Sequence, residues 1–249
     1  MKKLIALLVA LMMLGTAAAA LVDTVTVAFN PEYPPFEYVN DNGEYEGYDV
    51  DLINAVAEKA GIEIAFEAMD FDAVISAVAT NPNTIGVSGI SITDERKLSV
   101  DFSEGYINAG LIVVVKKDSG YATVDDLKGK VIGVQMGTTS DFAAEEITGE
   151  ANTSKYKTFL NAIMELQGNK VDAVIVDKPV GIAILNELKD DALEIVDMGL
   201  QADWYGIEIN KENPELLEKI NAALKELEAE GFYKTLEDKY FTDTGADAE

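Results

Sequence analysis

Residues 88–96 combine small hydroxyl side chains, the start of a short helix and one guanidinium group. The apolar residues 84–87 before them predict a buried strand, and Thr93 with the two acids after it predicts a capped first helical turn. Arg96 departs from this pattern, because a cation at a helix N-terminus is unfavourable unless it holds an anion. Free N–H groups and a guanidinium together suit a carboxylate. The same residues equally fit a surface helix whose Arg96 pairs with Asp94 or a neighbouring acid.

A second helix start and a single acid follow strands later in the chain. Residues 137–140, Gly-Thr-Thr-Ser, come after an apolar strand and offer backbone N–H groups to an anion, although they also fit an ordinary N-cap with a glycine turn. Asp177 follows the strand 173–176, where it either holds an ammonium group or caps the helix that begins at Pro179. Because open α/β sheets bind ligands at the carboxyl ends of their strands, we expect these residues to meet.

Two aromatic residues lie in loops at the same end of the predicted sheet. Tyr33 and Phe71 follow the first and second strands, and the core is the default place for Phe71. With Arg96 and Asp177 they supply a cation for a carboxylate, an acid for an ammonium and aromatic walls. This combination predicts a receptor for a free amino acid.

The elements that position these residues alternate between strand and helix in two successive units, which predicts parallel sheets covered by helices. The predicted strands span residues 24–29, 62–66, 84–87, 111–115, 131–134, 173–176 and 194–196. The predicted helices span residues 52–60, 71–79, 159–166 and 179–188, with a long one from Pro214 to Gly231 and a last one to about Tyr240.

The remaining segments connect these elements. Residues 30–36 predict an aromatic loop stiffened by three prolines, and residues 204–209 predict one strand that returns to the first unit. Two extended runs, around 107–115 and 201–209, are expected to cross between the units. Paired crossings of this kind suit hinge motion between two lobes.

Composition excludes several classes of function. The chain has 249 residues, 48% of them hydrophobic, enough for one large domain or two lobes. Lys and Arg number 19 against 45 Asp and Glu, and the formal charge of -26 repels nucleic acid and anionic lipid. The absence of His and Cys excludes Ser-His-Asp and Cys-His catalysis, zinc sites of those ligands and disulfides. Carboxylate-only catalysis and oxygen-ligated metals stay open, and no cofactor is predicted.

Residues 1–20 have the pattern of a secretory signal peptide. A basic pair precedes the apolar residues 4–14, which are short for a membrane span, and the small residues 15–20. We expect cleavage near Ala20, with an uncleaved anchor as the alternative. Without a Cys, bacterial lipid attachment cannot occur. The mature chain is expected to be secreted or periplasmic, without membrane insertion, and residues 242–249 to form a frayed tail.

An ordered series of motifs covers essentially the whole mature chain. It runs GYDVDL at 47–52, MDFD at 69–72, SGISITDERK at 88–97, VDFS at 100–103, LKGKVIGV at 127–134, GTT at 137–139 and GNKVDAVIVD at 168–177. This series resembles the polar-amino-acid-binding proteins of ABC importers, extracellular solute-binding protein family 3.

The resemblance implies an α/β fold of the periplasmic-binding-protein type. Each of its two lobes is a mainly parallel sheet flanked by helices, and a two-strand hinge joins them. Residues 21–110 and 206–249 form lobe 1, and residues 111–205 form lobe 2. The family closes its lobes over the ligand, and the importer's membrane subunits recognise the closed form. We expect a monomer.

The resemblance also implies roles for individual residues. The guanidinium of Arg96 clamps the ligand α-carboxylate, helped by backbone N–H groups of Ser91 and Thr139. The Gly89 carbonyl, the Ser91 hydroxyl and the Asp177 carboxylate take the α-ammonium. The ligand side chain lies between two aromatic rings and faces two amides at its far end. The full set of expected ligand-binding residues is Asn30, Tyr33, Phe71, Ser88, Gly89, Ser91, Arg96, Gln135, Thr138, Thr139 and Asp177.

The far end of the expected pocket departs from part of the family. Relatives that bind cationic amino acids often carry an acid at the position of Asn30, and here both Asn30 and Gln135 are neutral amides. Because a buried cation without a paired acid is costly, we expect a neutral polar ligand such as glutamine. Glu32 is close enough in sequence to keep a cationic ligand, arginine or lysine, as the alternative.

Two other functions compete with binding for transport. A few relatives are dehydratases of prephenate or arogenate type, whose chemistry needs a positioned acid in the cleft, and Asp177 is the candidate for that role. The sensory domain of a membrane receptor is a third possibility, which needs a second membrane span and a signalling domain. We expect a binding protein rather than an enzyme, because no His and no second obvious cleft acid is present.

Overall fold

The computed structural model describes residues 24–241, so the signal predicted at 1–20 and the tail predicted at 242–249 lie outside the described residues. The strands are β1 Val25–Phe29, β2 Glu32–Tyr33, β3 Glu37–Val39, β4 Tyr45–Glu46, β5 Ile64–Ala68, β6 Thr84–Gly86, β7 Asp101–Phe102, β8 Ile107–Lys116, β9 Ile132–Gln135, β10 Thr153–Tyr156, β11 Ala173–Asp177, β12 Leu193–Val196, β13 Ala202–Tyr205 and β14 Glu208–Ile209. The α-helices of this part of the chain are α1 Tyr48–Ala60, α2 Phe71–Thr80, α3 Thr139–Thr148, α4 Phe159–Gln167, α5 Lys178–Leu188, α6 Pro214–Ala229 and α7 Phe232–Tyr240.

Two mixed sheets form the two lobes. The first has the order β5-β1-β6-β14-β7, with β5, β1 and β6 parallel and the last two strands antiparallel. The second has the order β10-β9-β11-β8-β12, with β10, β9 and β11 parallel and β8 antiparallel to both of its neighbours. The predicted parallel arrangement is therefore confirmed for the three strands at one side of each sheet.

Helices cover both faces of each sheet because successive strand residues point to opposite sides. In the first sheet Val27 packs with Leu52 and Ile53 of α1, while its neighbour Ala28 packs with Val74 of α2. The second sheet has α4 on one face and α3 on the other. None of the helices within residues 24–241 is long and apolar enough to cross a membrane.

Residues that were predicted to lie at helix ends do so, through the expected hydrogen bonds and backbone angles. Asn213 caps α6 by accepting a hydrogen bond from the Leu216 N–H at 3.3 Å, and Pro214 occupies its first turn. Gly61 ends α1 in the left-handed conformation, with φ of 65°. Both predicted ends are confirmed.

The crossing between the lobes differs from the single strand predicted at 204–209. Gly206 divides that segment into β13, which pairs with β8 of the second lobe, and β14, which belongs to the first sheet. The Gly206 N–H donates to the Ile90 carbonyl at 3.0 Å, so the chain is fixed where it changes partner. β8 and β13 run side by side, antiparallel, as the two connections between the lobes.

The predicted aromatic loop at 30–36 begins a small three-stranded sheet of β2, β3 and β4. This sheet leads into α1 through Gly47, whose φ is 137°. A Cβ at Gly47 would lie 2.1 Å from the Phe36 carbonyl oxygen. The close approach allows the Asp49 N–H to donate to that oxygen at 2.9 Å and places Asp49 in the protein interior.

We expect Gly47→Ala to destabilise the protein more than Gly43→Ala. Both glycines have a positive φ, 137° and 79°, but a Cβ at Gly43 meets no atom within 4 Å. Gly43→Ala should cost about 1 kcal/mol of unfolding free energy from backbone strain, and Gly47→Ala a further ~1–3 kcal/mol from steric overlap. Urea denaturation followed by circular dichroism measures both, and equal losses would contradict the close-approach account.

Candidate functional site

Arg96 lies at the start of a single 3-10 turn, Arg96–Leu98, rather than in the first turn of the predicted helix. The Thr93 hydroxyl accepts a hydrogen bond from the Arg96 N–H at 3.2 Å, so the capping interaction expected of Thr93 is present. Asp94 is exposed and pairs with Lys97 at 3.7 Å, which excludes it as the partner of Arg96. The surface-helix interpretation of Arg96 is therefore wrong.

The guanidinium of Arg96 is buried between the two lobes. Its Nη1 donates to the Ser91 carbonyl of the first lobe at 2.8 Å, and its Nη2 donates to the Gly137 carbonyl of the second at 3.0 Å. Its Nε is buried without an acceptor in the described part of the chain, and its Cζ lies 5.6 Å from the centre of the Phe71 ring. Burial lowers the pKa of Arg96, while the negative charge of Glu208 opposes the shift.

Asp177 precedes α5 at its N-cap position, but its side chain makes no capping hydrogen bond. The helix cap, one of the two roles predicted for Asp177, is therefore wrong. Its carboxylate instead accepts a hydrogen bond from the Tyr33 hydroxyl, which also lies 2.9 Å from the Tyr205 hydroxyl. Burial raises the pKa of Asp177, and the hydrogen bond from Tyr33 counteracts part of this rise. The result is a buried acid of the second lobe whose donor comes from the first.

The helix start at 137–140 is both a cap and part of the interface between the lobes. The Thr138 hydroxyl accepts from the Asp141 N–H at 3.3 Å and donates to the Gln135 carbonyl at 2.8 Å, so it caps α3. The Thr139 hydroxyl lies 3.4 Å from the Ser91 hydroxyl across the cleft. This places the second predicted helix start directly opposite the first.

Two amides meet at one end of the cleft. The Gln135 side-chain N–H donates to the Asn30 side-chain oxygen at 3.2 Å and to the Lys157 carbonyl at 2.8 Å, and Asn30 donates to the Met69 carbonyl at 3.0 Å. The side-chain oxygen of Gln135 is buried without a donor in the described residues. The Lys157 ammonium forms an ion pair with Asp70 of the other lobe.

Ser88 and Gly89 form the turn after β6. Gly89 has a φ of 54°, and a Cβ there would lie 2.5 Å from the Tyr33 ring, so only glycine fits at this wall. The Ser88 hydroxyl donates to the buried Glu37 carboxyl at 2.6 Å and accepts from the Asn30 N–H at 3.0 Å. Ser88 therefore supports the turn from behind, and its hydroxyl is engaged away from the cleft.

One closed cavity brings together eight of the eleven predicted site residues. They are Tyr33, Phe71, Gly89, Ser91, Arg96, Thr138, Thr139 and Asp177. The cavity between them has a volume of only about 10 Å³. A ligand can enter only if the Tyr33 hydroxyl leaves Asp177 and the lobes separate.

A larger groove opens beside the cleft, with a volume of about 690 Å³. Its walls include Ile92, Leu111 and Phe142, and neither Arg96 nor Asp177 contributes to them. The small cavity, which has the two buried charges, is therefore the candidate binding site, and its size reflects closure.

Three buried acids close to the site were not predicted from the sequence. Glu37 and Asp49 lie behind Gly89, and Glu208 lies on β14 near Arg96. Burial raises the pKa of Glu208 to about 7, and neither of its carboxyl oxygens has a donor in the described residues. In a chain with 45 acids, burial cannot be read from the residue type alone. No group of three or more acids within residues 24–241 is arranged to hold a metal ion.

Comparison with known proteins gives concordant matches over nearly the whole chain. Residues 25–243 match the model of the bacterial extracellular solute-binding proteins, family 3. ABC transporter arginine-binding protein 1 of Escherichia coli (strain K12) is 33% identical, over 97% of this chain and 99% of its own length.

Two solved structures of ancestral arginine-binding proteins are similar in fold and sequence. The one bound to arginine is 39% identical with a TM-score of 0.82, over 88% of this chain and 98% of its own. The one bound to glutamine is 38% identical with a TM-score of 0.81, over 88% of this chain and 97% of its own. The two-lobed fold is thereby confirmed.

We expect Tyr33→Phe to lower the free energy of unfolding by about 1–3 kcal/mol, because the buried Asp177 loses its donor from the other lobe. Tyr45→Phe is the matched control, since Tyr45 is 40% exposed and its ring packs at the edge of Phe29. The control should change stability by less than about 0.5 kcal/mol. Equal effects in guanidinium denaturation would show that Tyr33 contributes only its ring.

Proposed function

The chain belongs to family 3 of the bacterial extracellular solute-binding proteins, and on that premise we propose that its ligand is a cationic L-amino acid, arginine first. The protein is an amino-acid-binding protein of an ABC transporter. The proposal concerns the identity of the amino acid, the residues that hold it and the way in which the lobes release it.

The observation that carries the proposal is a buried guanidinium and a buried carboxylate on the walls of one cavity. The ligand α-carboxylate binds Arg96, whose Nε has no acceptor. It replaces the Ser91 and Gly137 carbonyls as the acceptor of the guanidinium hydrogen bonds. A carboxylate is the better acceptor, because charge-assisted bidentate bonds are stronger than bonds to neutral carbonyls. The ligand α-ammonium takes the place of the Tyr33 hydroxyl on Asp177.

The neighbouring polar groups complete both ends of the ligand backbone. We assign the Ser91 and Thr139 N–H groups to the carboxylate, and the Gly89 carbonyl with the Ser91 hydroxyl to the ammonium. Tyr33 and Phe71, both lining the cavity, flank the ligand side chain. An aromatic ring face attracts a guanidinium or ammonium, which favours a cationic side chain here.

Charges around the far end of the cleft also favour a cation. The acids Glu32, Asp70 and Asp72 all raise the pKa of Lys157, which places three acids around one lysine. The unpaired side-chain oxygen of Gln135 accepts a donor, and a guanidinium supplies several. The expectation of a neutral ligand rested on the amides at Asn30 and Gln135 and kept a cationic ligand as the alternative because of Glu32, and Asp70 and Asp72 now add to that acid.

Relatives support the same assignment. An arginine-binding protein of Escherichia coli and an ancestral arginine-binding protein are the matches named above. Glutamine is the second candidate, because a related ancestral protein was solved with glutamine bound and because Asn30 and Gln135 suit an amide.

Lobe movement delivers the ligand in this proposal. Lobe 1 comprises residues 21–110 and 206–249, lobe 2 comprises residues 111–205, and the paired strands β8 and β13 are the hinge. The protein acts as a monomer, outside the cytoplasmic membrane, and the importer's membrane subunits recognise its closed form. It releases the amino acid unchanged and is not an enzyme.

A thermal-shift screen with the twenty amino acids tests the proposal. A ligand at 1,000 times its Kd stabilises the fold by about 4.1 kcal/mol, so arginine should raise Tm by several degrees and glutamine by less. A shift with glutamine but not with arginine would overturn the cationic assignment. Consumption of the amino acid, followed by chromatography, would overturn the assignment as a binding protein.

We expect Arg96→Ala to weaken arginine binding by about 2–5 kcal/mol, at least roughly 30-fold in Kd, because the buried carboxylate is left unpaired. Lys97→Ala removes the same charge from the neighbouring, exposed position and should leave Kd within a few-fold. Titration calorimetry measures both, and near-native affinity in Arg96→Ala would remove the central assignment.

We expect Lys157→Gln to speed the association of arginine more than that of glutamine, because the three acids around it then act on the ligand without a countercharge. The difference should disappear at about 1 M salt, where the Debye length is about 3 Å. Lys211→Gln, at another exposed lysine, is the control for net charge. Stopped-flow rates that change equally for both ligands would contradict the role of these acids.

A further inference from the structure

We propose that Glu37 and Asp49 form a buried acid pair that shares one proton, and that this pair positions the Ser88–Gly89 turn of the binding cleft. The shared proton is inferred from the burial and the hydrogen bonds of the two carboxyls, whereas its consequence for ligand affinity rests on the proposed function.

Both side chains lie in the interior of the first lobe. Glu37 at the start of β3 is 0% exposed, and Asp49 in the first turn of α1 is 1% exposed. The close turn at Gly47 brings the two segments together, with the Asp49 N–H on the Phe36 carbonyl at 2.9 Å. The two carboxyl groups are neighbours, because they bind the adjacent residues Ser88 and Gly89 and the charge of Asp49 helps to raise the pKa of Glu37.

The hydrogen-bond donors around the two carboxyl groups are one hydrogen atom too few. One oxygen of Asp49 accepts from the Gly89 N–H and the Tyr106 hydroxyl, each at 2.8 Å, and one oxygen of Glu37 accepts from the Ser88 hydroxyl at 2.6 Å. The second oxygen of each carboxyl is buried without a donor in the described residues. Two ionised carboxyls would leave both oxygens unpaired and two like charges buried together, which is costly. A single proton between them removes both penalties.

The number of hydrogen-bond donors on each carboxyl indicates which of the two carries the proton. Asp49 has two donors and Glu37 has one, so the negative charge belongs on Asp49 and the proton on Glu37. The directions of the pKa shifts agree. Burial, and then the charge of Asp49, raises the pKa of Glu37 well above its ordinary value, whereas burial raises the pKa of Asp49 only to about 7 because its donors oppose the shift.

No other charge compensates a second ionisation. The titratable groups that face the pair from the packed elements are the phenols of Tyr33, Tyr48 and Tyr106. No cation of the described residues contributes to the pKa of either carboxyl. At alkaline pH the pair therefore gains a second negative charge in an apolar surrounding.

The pair controls the cleft through the turn in front of it. Glu37 holds Ser88, and Asp49 holds the N–H of Gly89, whose backbone forms the cavity wall against the Tyr33 ring. Neither acid lines the cavity, so both are positioning residues. Loss of the shared proton would break the bond between the carboxyls and loosen the turn from behind.

The pH dependence has a definite sign. A carboxyl whose pKa is raised by folding stabilises the fold fully below its ordinary pKa, about 4.5, and the stabilisation is lost as pH rises through the folded-state value. For this pair that loss extends from about pH 5 through neutrality.

Glu37→Gln tests the proposal, because its amide donates permanently to Asp49 and its oxygen can still accept from Ser88. The difference in Tm between this variant and the native protein should be small at pH 5 and should grow in favour of the variant by pH 9. Glu67→Gln, at an exposed glutamate, is the matched control and should behave as the native protein. A difference that is the same at both pH values would overturn the shared proton.

Infrared difference spectroscopy provides a readout that does not depend on stability. The native protein at pH 8, above the pKa of about 7 for Asp49, should show the carbonyl stretch of a buried protonated carboxyl, and the difference spectrum of Glu37→Gln should show that this band is lost. Glu67→Gln should retain it. A native protein that shows no such band at pH 8 would overturn the proposal even if the variant does not fold.

Arginine affinity tests the positioning role. Glu37→Gln should keep Kd within about threefold, whereas Glu37→Ala, which removes the donor to Asp49 and the acceptor for Ser88, should weaken it about tenfold or more. Equal affinities in the two variants would overturn the positioning role. If the native protein binds no amino acid, the proposed function fails, while the infrared and Tm outcomes still decide whether the proton is shared.

Discussion

The Arg96 guanidinium is buried between two lobes, and this burial constrains how the cleft closes. A charge that is 5% exposed needs strong acceptors, and its two acceptors, the Ser91 and Gly137 carbonyls, belong to different lobes. Asp177 has the same dependence with opposite sign, because its donor Tyr33 lies across the cleft, beside Tyr205. In the closed arrangement each charge has a neutral partner from the other lobe. The proposed zwitterionic ligand would supply both counter-charges.

The closed cavity and the hinge are related to the burial of these two charges between the lobes. A cavity of about 10 Å³ cannot hold an amino acid, so the proposed function requires movement about the strands β8 and β13. These strands are hydrogen-bonded to each other along 107–110 and 202–205, which permits bending while the connections stay paired. The contact between the Tyr33 and Phe159 rings, 5.8 Å apart, is the apolar part of the closed interface.

Much of the fold could be predicted from the sequence because its signals are local. Apolar runs marked the strands, and Asn213 and Gly61 marked helix ends through their own hydrogen bonds and backbone angles. Arg96 could be singled out because a cation was out of place in its turn. The predictions that failed concern contacts between residues that are far apart in the sequence. The division of one predicted strand at Gly206, the bond of Asp177 to Tyr33 instead of to the helix start, and the burial of Glu37 depend on partners from distant segments, which periodicity does not reveal. The charge around Lys157 was least predictable, because Glu32 comes from one segment of the chain, and Asp70 and Asp72 come from another.

In the proposed function one buried guanidinium clamps the ligand's α-carboxylate. Titration calorimetry of the native protein with L-arginine and with agmatine, which is arginine without its carboxylate, isolates this interaction. Arginine should bind, and agmatine should bind at least roughly 30-fold more weakly, because Arg96 then keeps only neutral carbonyl acceptors in place of a carboxylate. Equal affinities for the two compounds would contradict it.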